Sequence, residues 1–480
     1  MRRALPLAAV LAAAALAGCG AAAEPAPIGS TLQVTLRDPD GDGLLQRAPG
    51  EPLAARTQLA PARPAGPVLA TFGQLTDTHV RDTGSPARVA FLDRLGPPFT
   101  STFRPQEALI TQVLAAGLRA VDAVRPDLTV VTGDLIDNDQ ANELDWALRV
   151  LRGGRVRPPA SHPDQLASKP DPAFYRPDVD PPRHPGLLAA ASRPFTSPGL
   201  RGRAVVIPGN HDLLVAGEVR ATPQTEAVAV GSRRLVEPAP GLAIPRREAL
   251  AATTVRRLLR DGRLPGRTAA VRPDPARHEL SAAEYVARLR AAGMAPAGAR
   301  DRVDAAYDVG PRVRAVVLDV TRRSGLAQGV VAPGQAAFLA RALRGAGDRW
   351  VVVFSHEPLR KVAGGAQLLA QLDADPRVLA AVAGDTHRSQ ITPHRTARGG
   401  WWDITTSALA DFPQQARALR VRETAGGGAV LETWMLDTAP SRLADTARDL
   451  AFLDAQGGRP GGDAGTRADR NVRLYVPAPR

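Results

Sequence analysis

The sequence predicts a layered α/β fold, and two observations support this prediction. From residue 68 onward, short apolar segments alternate with longer segments whose apolar residues recur at helical spacing. Residue types that bind metals follow directly after five of the apolar segments. Layered α/β proteins hold their ligands beyond the carboxyl ends of their strands, so both observations indicate one architecture. The length of 480 residues allows one large domain with insertions or two domains.

The strands are predicted from apolar segments that end at polar turns. They cover residues 68–75, 128–132, 204–207, 313–320, 350–354, 378–382, 402–406 and 429–436. Helices of the core are predicted at 107–124 and 334–343. Two insertions interrupt the alternation, a proline-rich one at about 153–199 and a longer one at about 213–300 with helices near 248–260 and 281–292.

The net charge of +13 does not indicate a nucleic-acid-binding protein. Nearly all the basic residues are arginine, because the only lysines are Lys169 and Lys361. The arginines are scattered, without a basic run of five or more residues, and few aromatic residues lie among them. The hydrophobic fraction of 44% is typical of soluble globular proteins, and no long apolar run follows the N-terminus. No transmembrane helix is therefore expected in the mature chain.

The N-terminus has the pattern of an export signal. Two arginines precede an apolar stretch at residues 4–17, which leads into Leu16-Ala17-Gly18-Cys19. This tetrapeptide resembles the lipobox of bacterial lipoproteins. The resemblance implies that residues 1–18 are a signal peptide and that lipidated Cys19 anchors the protein to the extracytoplasmic face of the cell membrane. The alternative is an ordinary signal peptide that contains a cysteine.

Cys19 is the only cysteine, so no disulfide can form within the chain and no thiolate can serve catalysis. Residues 19–67 are rich in alanine, proline and glycine and are expected to form a tether with an N-terminal hairpin. The main domain is expected at residues 68–440. A C-terminal extension would follow at 441–480.

The metal-ligand residue types lie in five turns after predicted strands. They are Asp77, His79, Asp134, Asn210, His211, His356, Asp385 and His387. Each turn alone is common in proteins, but five such turns in order indicate a shared metal site. Carboxylate, imidazole and amide oxygen together suit Mn, Fe or Zn, whereas calcium prefers oxygen ligands alone.

The sequence resembles the calcineurin-like metallophosphoesterases in these motifs. The matching stretches are Asp77-Thr78-His79, Gly133-Asp134, Gly209-Asn210-His211-Asp212, Phe354-Ser355-His356-Glu357 and Gly384-Asp385-Thr386-His387. It is also similar to an actinobacterial-type subgroup in residues 85–88, 104–107 and 137–143. The resemblance implies a four-layer α/β/β/α sandwich of two mixed sheets, with the two insertions, and a centre of two divalent metal ions.

The resemblance also implies a role for each residue. Asp77, His79 and His387 would hold the first metal, Asp134 would bridge both, and Asn210, His356 and Asp385 would hold the second. His211 would act on the leaving group and be oriented by Asp212. Arg88, Arg104, Asn138 and Asn142 flank the first two motifs, where they would either contact substrate or form a structural network.

Position 385 departs from the family's usual Gly-His-x-His pattern. Aspartate can donate one oxygen to the second metal, or its shorter side chain can fall short and leave that site weak. An aspartate ligand would also shift the preference toward harder metals.

The implied function is hydrolysis of a phosphate mono- or diester outside the cytoplasm, because two close cations neutralise phosphate and activate a water molecule. One alternative is a pyrophosphatase acting on nucleotide or lipid-linked substrates. Another is a non-catalytic lipoprotein that uses the fold to bind a partner. Retention of His211 together with Asp212 favours an enzyme, because binding alone does not require them.

Overall fold

A computed structural model describes residues 27–95, 99, 102–159, 175–241, 251–259, 266–456 and 464–479. The strands are β1 (Val34–Arg37), β2 (Gln46–Pro49), β3 (Ala54–Arg56), β4 (Ala65–Leu75), β5 (Leu128–Val131), β6 (Gly154–Val156), β7 (Phe195–Ser197), β8 (Ala204–Val206), β9 (Arg233–Pro238), β10 (Gly266–Ala270), β11 (Ala305–Val309), β12 (Val313–Leu318), β13 (Trp350–Ser355), β14 (Val378–Ala383), β15 (Gln390–Thr396), β16 (Gly399–Thr405), β17 (Gln415–Thr424), β18 (Ala429–Asp437) and β19 (Val472–Val476). The helices are α1 (Ile110–Ala123), α2 (Ala141–Arg152), α3 (Leu187–Ala191), α4 (Pro223–Ala229), α5 (Ala251–Leu259), α6 (Ala282–Ala291), α7 (Gln335–Arg344), α8 (Ala366–Ala374) and α9 (Arg442–Gln456).

Two large mixed sheets form the centre of the molecule. The seven-stranded sheet has the order β3-β19-β18-β17-β4-β5-β8, and the six-stranded sheet has the order β11-β12-β13-β14-β16-β15. Strands β4, β5 and β8 are parallel to one another, as are β12, β13, β14 and β16. Parallel strands end at the same edge of a sheet, so the turns that follow them are brought together.

The two sheets pack face to face, and helices cover their outer faces. Phe72 on β4 and Phe354 on β13 have ring centroids 5.5 Å apart in the core between the sheets. Helices α7 and α8 bury Leu339 and Leu368 against the outer face of the six-stranded sheet. Helices α1, α2 and α9 lie on the side of the seven-stranded sheet. The predicted α/β/β/α sandwich is thereby confirmed.

The sequence of β13 shows why it lies at the centre of its sheet. All six residues of Trp350–Ser355 are buried, and they read as an uninterrupted apolar run apart from the last. A strand whose two faces are both covered has no solvent side and hence no polar alternation. Helix α1 buries most of its length for a related reason, because it packs on the sheet and on neighbouring helices.

Strand β17 was not predicted, although it is one of the longest in the seven-stranded sheet. Three arginines interrupt its apolar pattern, at positions 417, 420 and 422. Arg417 is fully buried and donates to Thr406 Oγ1 at 2.8 Å and to Thr433 Oγ1 at 3.1 Å. Burial lowers the pKa of its guanidinium to about 9. A buried arginine with hydrogen-bond partners thus gives a central strand the composition of a surface strand.

The seven-stranded sheet includes one strand that precedes residues 68–440 in the sequence and one that follows them. Strand β19 pairs with β18, and β3 pairs with β19 in parallel. The segment 153–199 contains α3 and the antiparallel pair of β6 and β7, and 213–300 contains α4, the antiparallel pair of β9 and β10, α5 and α6. The signal peptide and Cys19 lie outside the described residues. Among the described helices, none has both the length and the apolar character needed to cross a membrane.

Replacing Leu474 with alanine should lower the free energy of unfolding by about 2–5 kcal/mol, because its side chain is fully buried in β19. The matched control is Arg473→Ala on the same strand, where an arginine side chain that is 42% exposed pairs with Glu432. That variant should lose less than Leu474→Ala, because Arg422 still lies 3.7 Å from Glu432. Urea denaturation measures both, and equal losses would contradict the position of β19 within the sheet.

Candidate metal centre

The five predicted turns converge at one edge of the sandwich, and backbone hydrogen bonds connect them. Asp77 N–H donates to Gly133 O at 3.0 Å, and His79 N–H donates to Asp134 O at 2.9 Å. Within the six-stranded sheet, the turns after β13 and β14 are connected by Gly384 N–H, which donates to His356 O at 2.8 Å. Across the two sheets, Asp385 N–H donates to the carboxylate of Asp77 at 3.2 Å. These hydrogen bonds connect four of the five turns.

The first set of donor atoms consists of two imidazole nitrogens and two carboxylate oxygens. His79 Nε2 lies 3.2 Å from His387 Nε2, and His387 Nε2 lies 3.4 Å from Asp77 Oδ1. Asp134 Oδ2 completes the set at 3.7 Å from His79 Nε2. These four donors all lie within 4.8 Å of one another, as the ligands of a single metal ion do.

A second set of donor atoms surrounds His356 Nε2. Asn210 Oδ1 lies 3.2 Å away, Asp134 Oδ1 3.5 Å away, and Asp385 Oδ1 3.9 Å away. Asp134 therefore belongs to both sets, with Oδ2 facing the first and Oδ1 facing the second. Such a carboxylate can hold two metal ions close together.

Hydrogen bonds at the far side of each ring decide which nitrogen faces the centre. The Nδ1 atom of His356 lies 2.8 Å from Thr132 O, and that of His79 lies 3.1 Å from Asp137 Oδ1. The Nδ1 atom of His387 contacts Asp411 Oδ2. In a neutral ring whose Nδ1–H donates outward, Nε2 presents its lone pair inward, which is the tautomer that a metal requires.

The arrangement of His79 and His387 fits a cation. Two imidazole lone pairs that face each other at 3.2 Å repel unless a proton or a metal ion lies between them. Burial opposes charging of His387, but Asp77 and Asp411 outweigh burial and raise its pKa to about 10. Burial lowers the pKa of His79 to about 4. The same negative field that holds a proton on His387 would attract a metal ion.

The amide of Asn210 is oriented in the same manner. Its Nδ2 donates to Gly217 O at 3.0 Å, which leaves Oδ1 directed at His356 Nε2. Gly209 before it has no space for a side chain, because an added Cβ would lie 2.1 Å from Asp134 Oδ1. The backbone at Gly209 therefore lies closer to the carboxylate of Asp134 than a residue with a side chain would allow.

Backbone strain is concentrated among the candidate ligands. Among the described residues, nine that are not glycine have positive φ, and five of these are candidate ligands. They are Asp77, His79, Asp134, Asp385 and His387, with φ between 46° and 62°. Left-handed backbone is costly for such residues and is common at functional sites, where the surrounding structure compensates for it.

His211 lies at the open side of the centre, and its position corrects one prediction. Its Nδ1 lies 2.8 Å from the backbone oxygen of Asp137, its ring meets that of His79 edge-on at 4.7 Å, and its side chain is 22% exposed. Asp137 therefore orients His211. The prediction that Asp212 does so is wrong.

Asp212 instead stabilises the turn. Its two oxygens accept the backbone N–H groups of Ile136 at 2.9 Å and Gly209 at 2.8 Å. Burial, reinforced by the nearby charge of Asp134, raises the pKa of Asp212 to about 7. Asp212 thus bonds backbone groups of the turn, whereas His211 Nδ1 has its contact with Asp137 O.

The four residues predicted to contact substrate are buried in internal contacts. Arg88 pairs with Glu107, and Arg104 pairs with Asp411. Asn142 Nδ2 donates to Asp82 Oδ2 at 2.8 Å, and Asn138 Oδ1 accepts the backbone N–H of Ala216 at 2.8 Å. None is more than 5% exposed, so the structural network is the reading that the geometry supports.

Two important carboxylates were not predicted. Asp137 orients His79 and pairs with buried Arg81, and Asp411 orients His387 and pairs with Arg104. Burial would raise the pKa of Asp411, but Arg104 and His387 lower it below its usual range. Asp137 lies three residues after Asp134, which was an available signal. Nothing in the sequence around Asp411 marks it.

Comparison with solved structures finds similarity to the crystal structure of a dimetal phosphatase from Danio rerio. The two chains are 13% identical and superpose with a TM-score of 0.39, over 78% of this chain and 100% of the other. No protein-family model and no curated protein matches the sequence. The assignment of the site therefore rests on its geometry.

Replacing Asp411 with asparagine should weaken metal binding by about tenfold to a hundredfold, because the carboxylate that orients His387 becomes a neutral amide. Competition with a chelator, followed by metal analysis, measures the affinity. Asp145→Asn is the matched control, since that carboxylate is 63% exposed on α2 and pairs with Arg288. Equal metal affinity in both variants would contradict the role given to Asp411.

Proposed function

We propose that this protein is a metal-dependent hydrolase of phosphate esters with a centre of two divalent metal ions. One observation carries the proposal: the two oxygens of Asp134 face two separate sets of donor atoms. Mn, Fe and Zn suit these sets, which combine imidazole, carboxylate and amide groups. We also infer that the chain belongs with the calcineurin-like metallophosphoesterases, in their actinobacterial-type subgroup, on the motifs that carry the candidate ligands.

The candidate residues would have the following roles. Asp77, His79 and His387 would hold one ion, Asn210, His356 and Asp385 would hold the other, and Asp134 would hold both. When bound, the ions neutralise the phosphate group and activate water as the nucleophile.

His211 would donate a proton to the leaving oxygen. It lies beside His79 and is partly exposed, and Asp137 O accepts from its Nδ1 so that Nε2 is available to the substrate. Protonating a poor leaving group contributes about a hundredfold or more to the rate.

Two alternatives use the same centre. A pyrophosphatase acting on nucleotide or lipid-linked substrates would need the same two ions. A non-catalytic lipoprotein would need the fold but no proton donor, and the partly exposed His211 at the open side favours an enzyme. Assays with monoesters, diesters and pyrophosphates, each with several metals, separate these functions.

Location outside the cytoplasm is part of the proposal and is supported by the N-terminal sequence. The apolar segment ahead of Cys19 is short for a stable membrane span, whereas lipidation of the cysteine would add acyl chains. Two chains together give stable attachment, where one chain alone binds marginally.

Asp134→Asn should reduce hydrolysis of a chromogenic phosphate ester by at least about a hundredfold, because the variant lacks the negative charge that faces both ions. Metal analysis should show fewer than two ions per chain. Asp145→Asn again serves as the control and should keep full activity. Undiminished hydrolysis by the Asp134 variant would refute the assignment.

Cys19→Ser should move the protein from the membrane fraction to the soluble or secreted fraction of the cell, because the acyl chains have no attachment point. Fractionation followed by immunoblotting measures the change. If the variant stays in the membrane with its signal uncleaved, the apolar segment is the anchor instead.

A further inference from the structure

Lys361 lies at the mouth of the candidate metal centre. Its Nζ is 3.8 Å from Asp385 Oδ2, and the two side chains are 52% and 23% exposed. The other oxygen of Asp385 lies 3.9 Å from His356 Nε2. Asp385 therefore connects the second set of donors with an exposed ammonium group.

The backbone of Lys361 is held by hydrogen bonds, whereas about half of its side chain is exposed. Its N–H donates to Pro358 O at 2.8 Å, and its carbonyl oxygen accepts from Gln328 Nε2 at 3.0 Å. The adjacent Arg360 is paired with Asp403. An exposed ion pair at the distance seen between Lys361 and Asp385 contributes little to stability, so the ammonium group can leave Asp385 for another anion.

Two carboxylates next to the donor sets are each paired with an arginine. Arg81 pairs with Asp137 and Arg104 pairs with Asp411, so neither carboxylate changes the balance of charge at the centre. That balance is set by the bound ions and by the charged groups that reach the donor atoms.

Within the donor sets, aspartate at position 385 leaves less positive charge than a neutral ligand would. Two divalent ions facing Asp77, Asp134 and Asp385 leave one net positive charge, where a histidine at position 385 would leave two. Lys361 restores the second charge and places it on the solvent side. A phosphate monoester carries up to two negative charges, whereas a diester carries one.

We propose that Lys361 binds the phosphate group of the substrate and makes the centre select terminal, dianionic phosphates over diesters. This inference rests on the proposed function and names its substrate class. The ammonium group serves as a compact positive charge for phosphate oxygens, a role that lysine fills in many phosphate sites. Asp385 holds the ammonium group at the mouth until substrate arrives.

The first test measures binding of inorganic phosphate to the metal-loaded protein by calorimetry. Lys361→Met should weaken the affinity by about tenfold or more, because a hydrogen bond to a charged group is lost. Lys361→Arg should restore most of it. Lys169→Arg is the matched control, at the only other lysine of the sequence and outside the described residues. Unchanged phosphate affinity in Lys361→Met would overturn the proposal.

The second test uses the scarcity of lysine. In the Lys169→Arg protein, Lys361 is the only lysine, and its acetylation can be followed by peptide mass spectrometry. Phosphate should slow acetylation of Lys361 in the metal-loaded protein. Equal rates with and without phosphate would show that the amine does not contact the ligand.

The third test measures selectivity. In Lys361→Met, the ratio of kcat/KM for a monoester to that for a diester should fall by about tenfold, because the lost charge matters more for a dianion. Equal losses for both substrates would overturn the selectivity. The binding and labelling tests need no turnover, so a wild-type protein without hydrolytic activity would refute the proposed function alone.

Discussion

The candidate centre depends on one shared carboxylate. Asp134 places one oxygen in each donor set, and the backbone N–H of His211 donates to Oδ1 at 2.9 Å. Burial opposes the charge of Asp134, but His356 and His211 outweigh it and lower its pKa below the usual range. The backbone at this residue is left-handed, and only a glycine fits opposite its carboxylate at position 209.

Buried ion pairs around the ligands hold the imidazoles in one orientation. A buried carboxylate is costly unless a cation and hydrogen bonds compensate for it, and Asp137 and Asp411 each have an arginine. Through these carboxylates the arginines act on the metal-facing nitrogens of His79 and His387. For Arg104, substrate contact and a structural network were both open, and the structure places it in the network, paired with the carboxylate that orients His387.

The sequence predicted a layered α/β fold and the turns that converge, because strands buried on both faces and polar turns at their ends are local signals. The two-sheet sandwich was implied by the resemblance to a family. Their assignment as ligands stays a prediction. Asp411 was missed because it acts through another side chain, and only the folded chain brings it to His387. Strand β17 was missed because buried Arg417 finds its partners in other segments. The role of Asp212 was misread because its oxygens bond backbone groups.

An anomalous-scattering crystal structure of the manganese-loaded protein tests the central claim most directly. The account predicts two metal peaks about 3.5–4 Å apart, with the carboxylate of Asp134 in contact with both. A single peak, or two peaks that do not share Asp134, would contradict it.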